Sequence, residues 1–205
     1  MKPKNFQFFF AFMAMTISLS SLHASEIFVG RASVDITPPL PVALDGQFHT
    51  RVAEKADNPV TANILVISVD SKNNASETSI LVSCDLVGIS PWILKEVRDF
   101  VSQHLPGIDS RKVMINATHT HTAPVVKMDH YAIPYQIPEG VTSPEKALEY
   151  IVNKISEGIM QAWKNQQKST VTWGMDYAKV AYNRRASYAD GTAKMYGNTA
   201  VDEFR

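Results

Sequence analysis

The chain has 205 residues, with 20 basic and 20 acidic side chains, six histidines and one cysteine. A neutral balance without a basic run gives no footing for nucleic acid. A single thiol excludes an internal disulfide, so the apolar residues must build the core.

In chain order, Lys2 and Lys4 precede an apolar run at residues 6–19, and the polar stretch that follows ends in the small residue Ala24. A basic start, an apolar centre of this length and a small residue at the cut describe a signal peptide over residues 1–24. The run falls short of the roughly 20 residues needed to cross a bilayer, so export without a retained anchor is expected. Cleavage removes two lysines and no acid, leaving 18 basic against 20 acidic residues and a net charge of −2. No later stretch is apolar enough to span a membrane, and the expected location is secreted or periplasmic. Residues 25–205 are enough for one domain with a sizeable core.

Residues 27–36 read as a strand ended by Thr37-Pro38-Pro39, because proline cannot donate to a ladder. Residues 40–59, with Gly46 and His49, read as a long loop near a site. Residues 62–70 and 78–86 form two strands joined by a polar turn, as in a hairpin. Ser90 then suits an N-cap and Pro91 the first helical position. Ile93, Leu94, Val97, Phe100, Val101 and Leu105 make an apolar stripe at helical spacing, stopped by Pro106-Gly107. Residues 112–118 return as a strand. Strand, helix and strand over this length predict a βαβ unit with parallel strands and a right-handed crossover. Residues 125–142 are irregular. Ser143-Pro144 opens a second helix, burying Ala147, Leu148, Ile151, Val152, Ile155, Ile159 and Trp163. Residues 170–182 alternate as strands do, and Asp190-Gly191 is a turn. The fold class is α/β, a mixed β-sheet with flanking helices.

The chemistry concentrates in "NATHTHTAP", residues 116–124. Residues two apart on a strand share a face, so His119 and His121 would present two imidazoles together at the carboxyl end of a parallel strand. Neutral imidazoles suit zinc, and open α/β sheets place ligand crevices at that end. Asp85, at the end of the partner strand, is placed to bind the metal or to orient an imidazole. The bland alternative is two histidines facing water or satisfied in a core, with Thr118, Thr120 and Thr122 as plain strand-formers. His49, His104 and His130 read as ordinary lone histidines.

"VGRASVDITPP", "LVSCDLVGIS", "VMINATHTHTAP" and "YNRRASY", in that order, resemble the amino-terminal part of the neutral/alkaline non-lysosomal ceramidase family. The resemblance covers most of residues 27–190, and the threonine–histidine alternation followed by proline is its most specific element. It implies that His119 ligates zinc, that His121 lies beside it in the site as a second metal ligand and catalytic residue, and that Arg184 is catalytic and binds substrate together with Asn183. It also implies hydrolysis of the amide of an N-acylsphingosine or a related lipid or amphipathic amide, with one zinc ion. Thr122-Ala123 and Arg185-Ala186 replace the family's Ser-Gly and Ser-Pro, and residues 125–142 do not follow its pattern. These departures point to a divergent branch. The family's second zinc histidine, its glutamate and tyrosine ligands and its serine lie beyond the stretch that this chain matches, so an incomplete, truncated catalytic domain is expected. Two other readings stay open: an exported metallohydrolase acting on phosphoesters or sugars, and a truncated non-catalytic product or binding module.

Overall fold

The computed structural model describes residues 25–127, 135–180 and 183–201. The expected signal peptide and His130 lie outside the described residues. The chain divides into two compact units, Met1–Thr170 and Val171–Arg205.

The first unit is built on a five-stranded sheet. Its strands are β1 (Ile27–Asp35), β4 (Thr61–Val69), β5 (Thr78–Cys84), β6 (Val113–Ala117) and β7 (Gln167–Ser169), and a separate pair is formed by β2 (Val42–Leu44) and β3 (Arg51–Ala53). The spatial order is β6-β5-β4-β1-β7. β4 is antiparallel to both β1 and β5, with Ala62 opposite Cys84 and Val66 opposite Ile80. β5 and β6 are parallel, with Ile80 opposite Val113 and Cys84 opposite Ala117. The connection between them runs through helix α1 (Pro91–His104), so the expected βαβ unit is present. The sheet is therefore mixed, as its alternating and continuous apolar runs require.

Both helices start as their sequences dictate. The Ser90 hydroxyl oxygen accepts a bond from the Trp92 amide, and Pro91 occupies the first turn. At helix α2 (Pro144–Lys164), Ser143 accepts from the Lys146 amide at 3.3 Å. Alternation along β4 and β5 sends Ala62, Ile64, Val66, Ile80, Val82 and Cys84 into one buried layer. Ile93, Val97 and Val101 of α1 and Ile151, Ile155 and Ile159 of α2 join them in one core cluster. Trp163 packs on its margin, partly buried. The opposite face of the sheet is more open, with Leu65 36% and Met114 50% exposed.

Two glycines let α2 settle on the sheet. A Cβ at Gly30 would stand 1.9 Å from the Ala162 carbonyl oxygen, and one at Gly158 would stand 2.7 Å from the Ile64 side chain. No larger residue fits in the first gap without moving backbone.

Residues 40–59 are not a plain loop, because they contain the β2–β3 pair, in register from Val42–Ala53 to Leu44–Arg51. The expected strands over residues 170–182 are absent among the described residues: 170–180 form no regular element. Val171, Trp173, Met175 and Tyr177 are exposed there, so the alternation has no partner strand in these residues. The second unit carries its own hairpin, β8 (Arg185–Ser187) paired antiparallel with β9 (Ala193–Met195), around the expected Asp190-Gly191 turn. The Asp190 carboxylate accepts from the Thr192 amide and hydroxyl, both at 2.8 Å, and Gly191 has φ +85°.

Candidate functional site

β6 stops at Ala117, two residues before the first histidine. The two rings are therefore not successive same-face residues of a strand. His119 has φ +63°, a left-handed conformation that a non-glycine residue adopts only where its surroundings hold it. Backbone bonds supply that hold: the Thr118 amide donates to the Cys84 carbonyl and the His119 amide to the Leu86 carbonyl, at 2.9 and 3.0 Å. The loop after β6 is thus tied to the loop after β5.

The His119 ring is fixed from the same side. Its Nδ1 lies 2.7 Å from the Val87 carbonyl oxygen, which can only accept, so Nδ1 carries the proton. Its Nε2 is left with a free lone pair. A histidine held by a backbone carbonyl at one nitrogen is the usual arrangement of a metal ligand at the other.

His121 comes from the other side. Its Nε2 lies 3.4 Å from that of His119, with ring centroids 4.9 Å apart and planes crossed at 82°. Two nitrogens each about 2.0–2.1 Å from a tetrahedral zinc ion stand about 3.3 Å apart. The separation therefore matches one edge of such a site. Both rings are exposed, so an ion from solvent reaches them. Among the described residues, however, no group of three or more histidine, cysteine or carboxylate side chains is gathered to hold a metal. A catalytic zinc usually has three protein ligands, so the pair fits part of a site.

Asp85 is occupied elsewhere. Its Oδ2 accepts from the Thr61 amide and hydroxyl, at 3.0 and 2.8 Å, and its Oδ1 accepts from the Thr118 hydroxyl at 3.2 Å. Partial burial works to raise the carboxyl, but the bonds from Thr61 and Thr118 outweigh it and hold the group below the ordinary carboxylate range. Asp85 thus ties the start of β4 to the end of β6 across the tip of β5. Next to it, burial and the Asp85 charge push the Cys84 thiol up to about 12, which keeps it protonated and unsuited to metal binding.

Beside the histidine loop lies a cleft of about 440 Å³. Leu40, Val42, Leu44 and Val60 line it on the apolar side, and Asp85 and Thr120 on the polar side.

Asp45, Arg51 and Tyr135 are neighbours of the pair that motif reading does not single out. Arg51 Nη2 donates to the His121 carbonyl at 2.5 Å and to the Asp45 carbonyl at 2.9 Å. The Tyr135 hydroxyl stands 3.0 Å from Asp45 Oδ1 and 2.6 Å from the Gln47 carbonyl oxygen, and its single proton is shared between these two acceptors. Burial, together with the bond to Asp45 and its charge, raises the Tyr135 hydroxyl above its usual value. The signal available in sequence was Gly46, in a loop read as lying near a site.

Asn183 and Arg184 belong to the second unit. Asn183 Oδ1 accepts from the Arg185 amide at 3.0 Å, and Arg184 Nη1 donates to the Tyr196 hydroxyl at 3.2 Å with its guanidinium 5.9 Å over that ring. Both are exposed. His104 stacks on Phe100 at 4.0 Å, with Nδ1 2.9 Å from the Phe100 carbonyl oxygen. His49 is exposed.

No protein-family profile and no curated protein matches the sequence. Among solved structures, neutral ceramidase from Pseudomonas aeruginosa superposes with a TM-score of 0.60 at 25% identity. The fold is that of part of neutral ceramidase. The match covers 71% of this chain and 22% of the ceramidase chain. A ceramidase complexed with C2 matches at a TM-score of 0.51 and 22% identity, over the same shares. The ceramidase-like chain thus spans about a fifth of the length of the proteins it resembles. Among the described residues, no helix is long and apolar enough to cross a membrane.

Proposed function

We propose that this chain is part of a ceramidase-like amide hydrolase and that His119 and His121 hold its one zinc ion. The supporting observation is the 3.4 Å approach of the two Nε2 atoms, at the carboxyl end of a parallel strand in a ceramidase-like fold. A bound zinc ion polarises an amide carbonyl and lowers the pKa of its water. His119 offers the ion a lone pair because its proton is committed to Val87. His121, whose ring has no backbone tie among the described residues, offers the second nitrogen of the pair. By the resemblance of "YNRRASY" alone, Arg184, with Asn183 beside it, is proposed to serve a developing oxyanion or a substrate hydroxyl. The remaining zinc positions fall to groups other than these two histidines. The half-apolar cleft against Thr120 suits an amphipathic substrate such as an N-acylsphingosine. Export to the periplasm or beyond fits the amino-terminal residues.

The purified chain is assayed for zinc and for fatty-acid release from N-acylsphingosine, with a phosphomonoester in parallel. The expected result is zinc bound by wild type and lost in His119→Ala, with zinc-dependent amide cleavage only when further sequence or a partner supplies the remaining ligands. Under about one-tenth of an equivalent, unchanged by His119→Ala, overturns the metal reading; release of phosphate alone overturns the amidase reading.

A further inference from the structure

The two imidazoles are seated by different parts of the fold. His119 is held by the loop after β5, through Leu86 and Val87. His121 is held by the β2–β3 pair and the turn between its strands. The Asp45 amide donates to the Ala123 carbonyl at 2.9 Å, the Val125 amide donates to the Ala43 carbonyl at 2.8 Å, and Leu44 bridges to Pro124. Gly46, at φ +91°, lies so close to the second ring that a Cβ there would stand 2.5 Å from His121 Cγ. The convergence of the Nε2 atoms therefore depends on how the β2–β3 pair is docked.

We propose that Arg51 is the positioning residue that sets this docking: its guanidinium clamps the His121 carbonyl to the Asp45 carbonyl and so aims the second imidazole at the first. This rests on the zinc reading above for its purpose, though not for its geometry. Three observations carry it. One nitrogen, Nη2, reaches both carbonyls, which are far apart in sequence. The Nε of Arg51 is buried and unpartnered among the described residues, a cost that an arginine serving only as surface charge would escape by swinging outward. The Asp45 end of the clamp is itself braced, because Asp45 Oδ1 accepts from the Gly46 amide at 2.6 Å and from Tyr135 at 3.0 Å. Neutral carbonyls at both ends mean that Arg51 acts as a two-pronged donor and not as a partner in an ion pair.

The test compares wild type with Arg51→Met, which keeps the aliphatic stem and removes every donor, and with Arg51→Lys, which restores a cationic donor. Two quantities are read: zinc affinity, by competition with a chromogenic chelator, and the contact between the two rings in the metal-free chain, by histidine ring NOEs. Arg51→Met is expected to lose the ring contact and to bind zinc about 10–100-fold more weakly, the usual effect of removing a group that orients a ligand. Arg51→Lys should recover part of that loss. The β2–β3 pair contributes nothing to the main core cluster, so the melting temperature should move little. Zinc affinity within twofold of wild type, with the rings still in contact, overturns the proposal. If Arg51→Met folds poorly, Gly46→Ala crowds the ring directly with the clamp intact, and unchanged affinity there also overturns it. If wild type takes up no zinc, the metal reading fails, and ring contact kept in wild type but lost in Arg51→Met still supports the clamp.

Discussion

Asp85 separates a structural account of the strand tips from a metal-ligand account. Its carboxylate accepts three bonds, from the Thr61 amide, the Thr61 hydroxyl and the Thr118 hydroxyl. Each bond contributes about 0.5–1.5 kcal/mol net; a charged acceptor raises that figure and the open cleft beside it lowers it. Asp85→Ala should therefore cost about 2–3 kcal/mol, or roughly 4–12 °C in melting temperature for a chain of this size. The folded-state pKa lies below the unfolded value of about 3.9, so the group's contribution is complete at neutral pH and is lost as pH falls through the folded value. The stability gap between wild type and Asp85→Ala should accordingly be constant from about pH 6 upward and close below about pH 4. Urea unfolding followed by circular dichroism at several pH values measures this, and zinc titration of the variant should stay within about twofold of wild type. A cost below about 0.5 kcal/mol, or a gap independent of acid, would refute the lock. A tenfold loss of zinc would make Asp85 a ligand instead.

Gly30→Ala must push against the Ala162 carbonyl oxygen, and a loss of about 3 kcal/mol or outright failure to fold is expected in thermal unfolding. Ser90→Ala removes a helix cap and also the bond from its hydroxyl to the Lys127 carbonyl at 2.6 Å; about 1–2 kcal/mol should be lost by denaturant titration. Cys84 should resist a thiol reagent in the native chain at pH 8 and react at once in urea, because its thiol is buried and its pKa is pushed up to about 12. Rapid native labelling would contradict the described packing of β5.

The βαβ unit was legible because its signals are local. Ser90-Pro91 marks the start of α1, and the spacing of Ile93, Val97 and Val101 fixes its inner face. The histidine pair was legible as chemistry but not as geometry. On a continuing strand the two rings would be same-face neighbours, yet β6 ends at Ala117, and the rings meet through Val87 and Arg51, 32 and 70 residues away in sequence. No local pattern encodes such partners. β2 and β3 escaped notice because three residues each carry too little alternation to register. Residues 170–182 erred in the opposite direction: alternation describes a strand's faces and supplies no partner to bond with.

X-ray absorption at the zinc edge on the loaded chain tests the central claim most directly. Two imidazole nitrogens at about 2.0–2.1 Å are predicted, falling to one in His121→Ala. Zinc surrounded by oxygen alone, or an imidazole signal unchanged by both His119→Ala and His121→Ala, would contradict the account.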